Sequence, residues 1–469
     1  MSENPSATDP VRGFTGEFIL WDEPRFEGAR TQRIFNRRMP DRRPAAVLRV
    51  ATEEDVVRGV RLAAQRGWTV AVRSGGHSWA QWSIRDDALV LDMVGLRDMT
   101  YDPGTGIATA TPAVQGGMEL DPFLASHGRF FNGGHCPTVG IGGFLLQGGQ
   151  GWNARGWGWA AESVVAVDVV TADGELVRAD AETNSDLYWA ARGAGPGFFG
   201  AVTRFHLRTR PRYGHLAQTV HAYHLSEFHD VMTWLHSLHH EVADSVEIVA
   251  LTKTEPALSR DPVLLVTALA FTADDGAAQR ALAPFRSCPS LPRALHVVDA
   301  QPTTLREQRE RQLIDNPEGH RWAVDNAWVT GSADAVVPAL RTAFTELPSD
   351  KAFTIWFSMA PLRALPDMAF SLQSEIYVAT YVPWLDPQED ARHLAWVERA
   401  MADLERVTVG QYLGDSDLTR RQVKFCSDAA WARLNEIRAR RDPNGLFVGY
   451  LAGDGGARNA NHWQAAASR

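Results

Sequence analysis

Two short glycine-rich stretches, 74–76 and 140–143, each beside a nucleophilic side chain, constrain this chain's fold more than any other feature. His77 follows the first and Cys136 precedes the second. Glycines let successive backbone N–H groups approach an anion closely, so such loops can hold a diphosphate without a helix dipole. Imidazole and thiolate are both competent to bond an electrophilic carbon. Taken singly, His77 also fits a hydrogen-bonded loop histidine, and Cys136 a small buried hydrophobe.

The surrounding pattern places both stretches. From Ala45 to Arg73 the chain reads strand, helix, strand. Thr52 and Asp55 make the helix start T-x-x-D, Val56, Val60 and Ala63 recur at helical spacing, and Gly67 closes the helix. The second strand delivers R-S-G-G-H-S at 73–78. Residues 104–155 are glycine-rich with few long helical patterns. Val164 to Thr171 and Glu175 to Val177 read as a hairpin around Asp173-Gly174, Ser185 to Ala191 as a short helix, and Ala201 to Leu207 as a strand. The polar run R-T-R-P-R-Y at 208–213 contains Pro211 and marks a boundary. Beyond it, strands (Pro262 to Phe271, Phe353 to Met359, Glu375 to Trp384) alternate with amphipathic helices (Ala335 to Leu347, Asp390 to Leu404), which suits an α+β domain with helices over one sheet. The residues after about Gly453 read as frayed.

A chain of 469 residues calls for two domains, or one large domain with an insert. A net charge of -9 disfavours nucleic acid, and the run Arg37, Arg38, Arg42, Arg43 reads as a solvated face. Cys136, Cys288 and Cys426 make neither a disulfide framework nor a paired metal site. His236, His239 and His240 sit at helical spacing, but no further ligand pattern supports a metal there, and the helix reads as surface. Trp152, Trp157 and Trp159 either line a cofactor or fill core. The N-terminus lacks the basic and apolar regions of a signal peptide and no apolar run spans a bilayer, so the expectation is a soluble cytoplasmic protein. G-P-G-F-F-G at 195–200 and G-Q-G-W-N-A at 149–154 match dinucleotide fingerprints formally. A strand-like run follows the first and more glycine precedes the second, so the strand–helix context that motif needs is missing.

R-S-G-G-H-S with Trp79 and Ser83, H-C-P-T-V-G-I-G-G at 135–143, and D-L-Y-W-A-A-R-G-A-G at 186–195 leading into F-G-A-V-T-R-F carry a resemblance. They resemble the vanillyl-alcohol-oxidase superfamily, and within it the berberine-bridge-enzyme-like branch. R-D-P-N-G-L-F at 441–447 is similar to that branch's closing motif. The resemblance implies a two-subdomain PCMH-type FAD-binding domain over 40–210, a substrate domain with a helix-covered antiparallel sheet over 211–432, and a segment 433–469 returning to the first domain. It further implies FAD bonded through its 8α-methyl to His77 and through carbon 6 to Cys136. Arg73, Ser74, Gly75, Gly76, Ser78, Pro137, Thr138, Val139, Gly142 and Gly143 would wrap the cofactor, with Asn153 and Val202 as further contacts. Valine at 139 goes, in the family, with oxygen reaching the flavin; plain packing is the other reading.

The substrate half departs from the family pattern. Gln150 stands where a tyrosine is frequent, Phe144 where a histidine is, and Val378 and Thr380 at the positions read as those of the usual acid–base pair. G-Q-Y-L-G-D at 410–415 resembles the region supplying a catalytic tyrosine, which makes Tyr412 the preferred base, with Asp415 and Asp417 behind it. A phenol near ~10 needs a neighbouring charge or the flavin to lower its pKa for that task. The resulting expectation is an FAD-dependent oxidase acting on a small molecule with a C–H next to oxygen or nitrogen, with O2 as acceptor. The alternatives are a dehydrogenase, an oxidative-cyclisation enzyme, or a ligand-binding homologue.

Overall fold

The computed structural model describes residues 13–451; the frayed tail expected after about 453 and most of the N-terminus lie outside them. The first sheet begins as the periodicity requires. Thr52 accepts from the Asp55 amide and Asp55 accepts from the Thr52 amide, closing a capping box on the helix Glu53–Arg66. Gly67 ends that helix at φ +69°, and the strand Thr69–Arg73 follows. Strands Glu17–Leu20, Ala46–Arg49, Ala88–Asp92 and Thr69–Arg73 form a four-stranded sheet in that order, with its last two pairings parallel.

A second, antiparallel sheet of five strands contains the expected hairpin, Val164–Val170 with Leu176–Asp180, turned at Gly174. Its neighbours are Ala201–Arg208, Ile107–Ala110 and Met99–Asp102. These two sheets share one hydrophobic core. The closing motif joins it: Asp442 accepts from the amides of Leu446 and Phe447, Gly445 takes φ +63°, and Leu446 and Val448 pair with Val70. Phe447 is thereby buried in the first core.

The third sheet has eight antiparallel strands, in the order His296–Pro302, His215–His224, Pro262–Thr272, Val246–Thr254, Phe353–Ser358, Ile376–Trp384, Arg321–Val329, Thr408–Gly410. Helices Phe228–Leu238, Asp275–Leu282 and Asp390–Leu404 pack on one face, against Ile248, Ala250, Val378 and Val382. The other face, with Val249, Phe357, Tyr377, Ala379 and Tyr381, packs with Phe35, Trp79, Ala154 and Trp159. The single helix expected over Ala335 to Leu347 is two, Ala333–Ala339 and Arg341–Thr345. Pro338 has no N–H for the ladder, and the axis breaks just after it. His239, expected on a surface helix, is buried, its ring bonded to Ser358 and packed on Trp356. No helix among the described residues is long and apolar enough to cross a membrane.

Candidate active site

A cavity of about 830 Å³ runs from the seam of the two smaller sheets to the face of the large one opposite those three helices. That volume lies in the range of cofactor and substrate sites. Ser74 to Ser78, Cys136, Val139, Gly142, Gly143, Val202 and Tyr412 border it, as does the backbone side of Arg73. Pro137, Thr138 and Asn153 are not on its wall. The amide of Asn153 instead donates to Glu247 at 2.6 Å.

The Arg73 side chain turns away from the cavity. Its buried guanidinium meets Asp92 at 2.8 Å and donates to the carbonyls of Ala29 and Arg30. Arg33 pairs with the same carboxylate and donates to the Ser74 carbonyl at 2.7 Å. Two guanidiniums share one carboxylate, so a net positive charge underlies the 74–78 loop. Gly76 sits at φ +77°, where a Cβ would stand 1.6 Å from the Arg33 carbonyl, so only glycine lets the loop settle on that layer. Gly75 and Gly140 meet backbone to backbone, a Cβ on either coming within 2.8 Å of the other's amide.

The 140–143 stretch, expected to be a loop, opens the short helix Ile141–Leu146. The Ile141 and Gly142 amides are taken by the carbonyls of Val114 and Pro112. At Gly143 a Cβ would meet nothing within 4 Å, which leaves open space at the cavity wall. A positive underlayer, a glycine-built wall and a facing aromatic wall fit a dinucleotide with a flat ring. Gly195 and Gly200 also border this cavity, but a strand follows them, as their context demanded.

His77 and Cys136 face this space from different loops. Thr138 Oγ1 lies 3.2 Å from His77 Nε2 and 3.6 Å from Cys136 Sγ. His77 stacks on Phe35, with ring centroids 4.5 Å apart. Burial lowers the imidazole pKa to about 4, so its ring is neutral at neutral pH. Burial also pushes the Cys136 thiol up, against hydrogen bonds from Thr138 that pull it down.

On the sheet side, Asp415 is the organising carboxylate. It accepts from Trp79 Nε1 at 2.9 Å and from Tyr377 Oη at 2.6 Å. Burial and the Asp415 charge hold both Tyr377 and Tyr381 well above the usual phenol range. Tyr412 is 4% exposed, and its hydroxyl accepts from the Gln150 amide at 3.2 Å. Burial, reinforced by Asp415, raises its pKa, the opposite of what a tyrosine base requires. Asp417 is committed to Arg38, outside the cavity. Val378 and Thr380 are fully buried, with Val378 against the helices; the residues facing the cavity are Tyr377 and Tyr381. Tyr377 and Tyr381 have odd positions on this strand and Val378 and Thr380 even ones, and alternate residues of a strand point to opposite faces. Sequence reasoning missed these two tyrosines, and missed the buried Glu247, which holds His135 Nε2 at 3.0 Å. The alternation Glu247, Val249, Leu251, Lys253 along one strand was the available signal. Trp152 lines the cavity, Trp157 packs on Phe130 and Phe271, and Trp159 lies in the core against Phe370 and Tyr412.

Such a cavity, bounded by a glycine cradle and an aromatic sheet face, defines a flavin-binding oxidoreductase fold. Residues 44–180 match the family described as an FAD binding domain. The FAD-linked oxidoreductase ptmO of Penicillium ochrochloron is 34% identical over 428 residues, 90% of this chain and 94% of that protein. The xylooligosaccharide oxidase of Thermothelomyces thermophilus is 39% identical over 177 residues, 37% of this chain and 35% of its own length. The solved 6-hydroxy-D-nicotine oxidase of Arthrobacter nicotinovorans has the same fold, with a TM-score of 0.82 at 21% identity over 94% of this chain and 98% of that one. The chain belongs to the FAD-linked oxidoreductases, and it shares its fold with the solved BBE-like 1 of Physcomitrella patens, with a TM-score of 0.80 at 20% identity over 92% of this chain and 96% of that one.

Proposed function

We propose that the protein is an FAD-dependent oxidase whose flavin is held by two covalent bonds, through His77 and Cys136. Its substrate is a small alcohol, sugar or natural-product intermediate with a C–H beside oxygen or nitrogen. The observation that carries this reading is the meeting of His77 and Cys136, from separate loops, on one threonine hydroxyl at one cavity. Two nucleophiles so placed suit two points on one rigid ring. The name of the xylooligosaccharide oxidase supports oxidase chemistry on a hydroxylated substrate.

FAD, when bound, would supply the hydride acceptor and a route for electrons to dioxygen, with hydrogen peroxide as the product. The chain's own task is to hold the substrate and take its hydroxyl or amine proton. We assign that proton to the Tyr377–Asp415 pair rather than to Tyr412. Tyr377 Oη already donates to Asp415, so it can accept the substrate's proton while handing on its own. That concerted shift never requires a free phenolate, which burial there opposes. The aromatic wall of Trp79, Phe353 and Tyr381 excludes water from the reacting face. Val139 borders the same space with a side chain short enough to leave a path for a diatomic gas.

Acid precipitation tests the attachment. The yellow colour should stay in the pellet, and the intact chain should gain one FAD in mass. Only the double variant His77→Ala with Cys136→Ala should release the flavin wholly; free flavin from the unaltered protein sinks the reading. The substrate-reduced enzyme should reoxidise in air within seconds with release of peroxide. Indefinite persistence of the reduced form would point to another electron acceptor.

A further inference from the structure

Thr138 stands behind the cavity wall, between the two side chains that would hold the flavin. A neutral imidazole carries its proton on one nitrogen only, while a hydroxyl has one proton to give and lone pairs to receive. Of the two ways to polarise the chain His77–Thr138–Cys136, one leaves the ring nitrogen facing the ligand protonated and draws a proton from the thiol. The other frees both nucleophiles at once. Burial keeps His77 neutral, and a backbone contact with Thr138 favours a proton on its ring. The hydroxyl and backbone of Thr138 both favour the thiolate of Cys136.

We propose that Thr138 is the positioning residue for both attachment bonds. Its hydroxyl accepts the Nε2–H of His77, which leaves the Nδ1 lone pair free, and donates to Cys136 Sγ, which favours the thiolate. The assignment rests on the two-bond reading of the cofactor. Each bond replaces one C–H of the flavin and one N–H or S–H of the chain. The two protons and two electrons given up leave on dioxygen as hydrogen peroxide. On the histidine side the departing ring proton is the Nε2–H that Thr138 already holds. On the cysteine side the hydroxyl steadies the charge that the sulfur carries before it bonds. His77 needs no deprotonation to act as a nucleophile, so the cysteine bond depends more heavily on Thr138.

Thr138→Val keeps the side chain's shape and removes the hydroxyl; Thr138→Ser restores it. Holoprotein of each is denatured and weighed intact, and its His77 and Cys136 peptides are mapped for attached flavin. A time course of FAD addition to protein from riboflavin-limited cells gives the rate of each bond. With valine, the cysteine bond should form about tenfold more slowly or worse, leaving chains linked through His77 alone. Serine should return both bonds and the parent's rate. Valine protein that forms both bonds at the parent's rate overturns the proposal. So does a serine variant as defective as valine, because then packing and not the hydroxyl matters, and so does a valine variant that takes up no FAD even reversibly. An unaltered protein whose flavin comes free in acid would instead sink the two-bond reading itself.

Discussion

The flavin cradle and the substrate sheet solve opposite problems. In the cradle, function lies in backbone and in a few contiguous residues: Gly75 against Gly140, Gly76 on Arg33, and Thr138 between His77 and Cys136. In the sheet, function lies in alternation, where Tyr377 and Tyr381 face the cavity while Val378 and Thr380 between them do not. A cradle built from local turns keeps its chemistry when the outer surface changes. A sheet face can be re-lined one alternate residue at a time without touching the helices behind it. The difference teaches where variation is cheap: cofactor handling is fixed by close packing, and substrate handling is carried by exchangeable side chains.

That contrast can be broken most directly at Asp415. Asp415→Asn should lower kcat by about 10²–10⁴-fold, the usual scale for losing a proton acceptor, while flavin content stays at the parent's level. Tyr377→Phe should resemble it, and Tyr412→Phe should stay within a few-fold of the parent. Steady-state rates beside flavin absorbance decide between them, and equal loss in both tyrosine variants would return Tyr412 to the mechanism.

Next in size is the underlayer of the cradle. Asp92→Asn leaves the buried guanidinium of Arg73 without its counter-charge, which should cost about 3–5 kcal/mol in urea unfolding and reduce flavin loading. The pH response of flavin-free protein follows from His77, whose pKa falls from 6.5 to about 4 on folding. A lowered folded value means that the unfolded chain binds the proton more readily. This stabilising contribution is therefore complete above 6.5 and is lost as pH falls through about 4. The shift corresponds to about 3 kcal/mol. Unfolding midpoints at pH 7 and 4.5 should differ more in the parent than in His77→Gln.

The smallest effect tests the register itself. Val378→Thr buries a hydroxyl among helix-packing apolar groups and should cost about 1–3 kcal/mol with KM unchanged. A changed KM with unchanged stability would put residue 378 on the cavity side.

Much of the cradle was legible in the sequence because its signals are local. The capping box at Thr52 and Asp55, the turn at Gly174 and the two nucleophile-bearing glycine stretches each announce themselves within a few residues. What was not legible depends on partners distant in the chain. Arg73 reads as a phosphate ligand until Asp92, Ala29 and Arg30 surround its guanidinium. Nothing near Asn153 in the sequence shows that its backbone amide donates to Glu247, 94 residues further on. On the strand Ile376–Trp384 every residue is buried, with apolar and aromatic side chains on both faces, so no alternation of polarity reveals which face meets the cavity. The acidity of Tyr412 is illegible for a related reason. Sequence supplies the residue type, whereas the acidity of a phenol depends on how completely the fold removes water from it.

The pairing of Leu446 and Val448 with Val70 bears on the order of events during synthesis. A ribosome has made all eight strands of the large sheet before the residues that finish the first sheet emerge. Phe447 and Val448 also border the cavity, so part of its wall is made after every strand of the large sheet. A nascent chain that has reached only residue 210 thus has its two nucleophiles and its glycines but an open seam beside them.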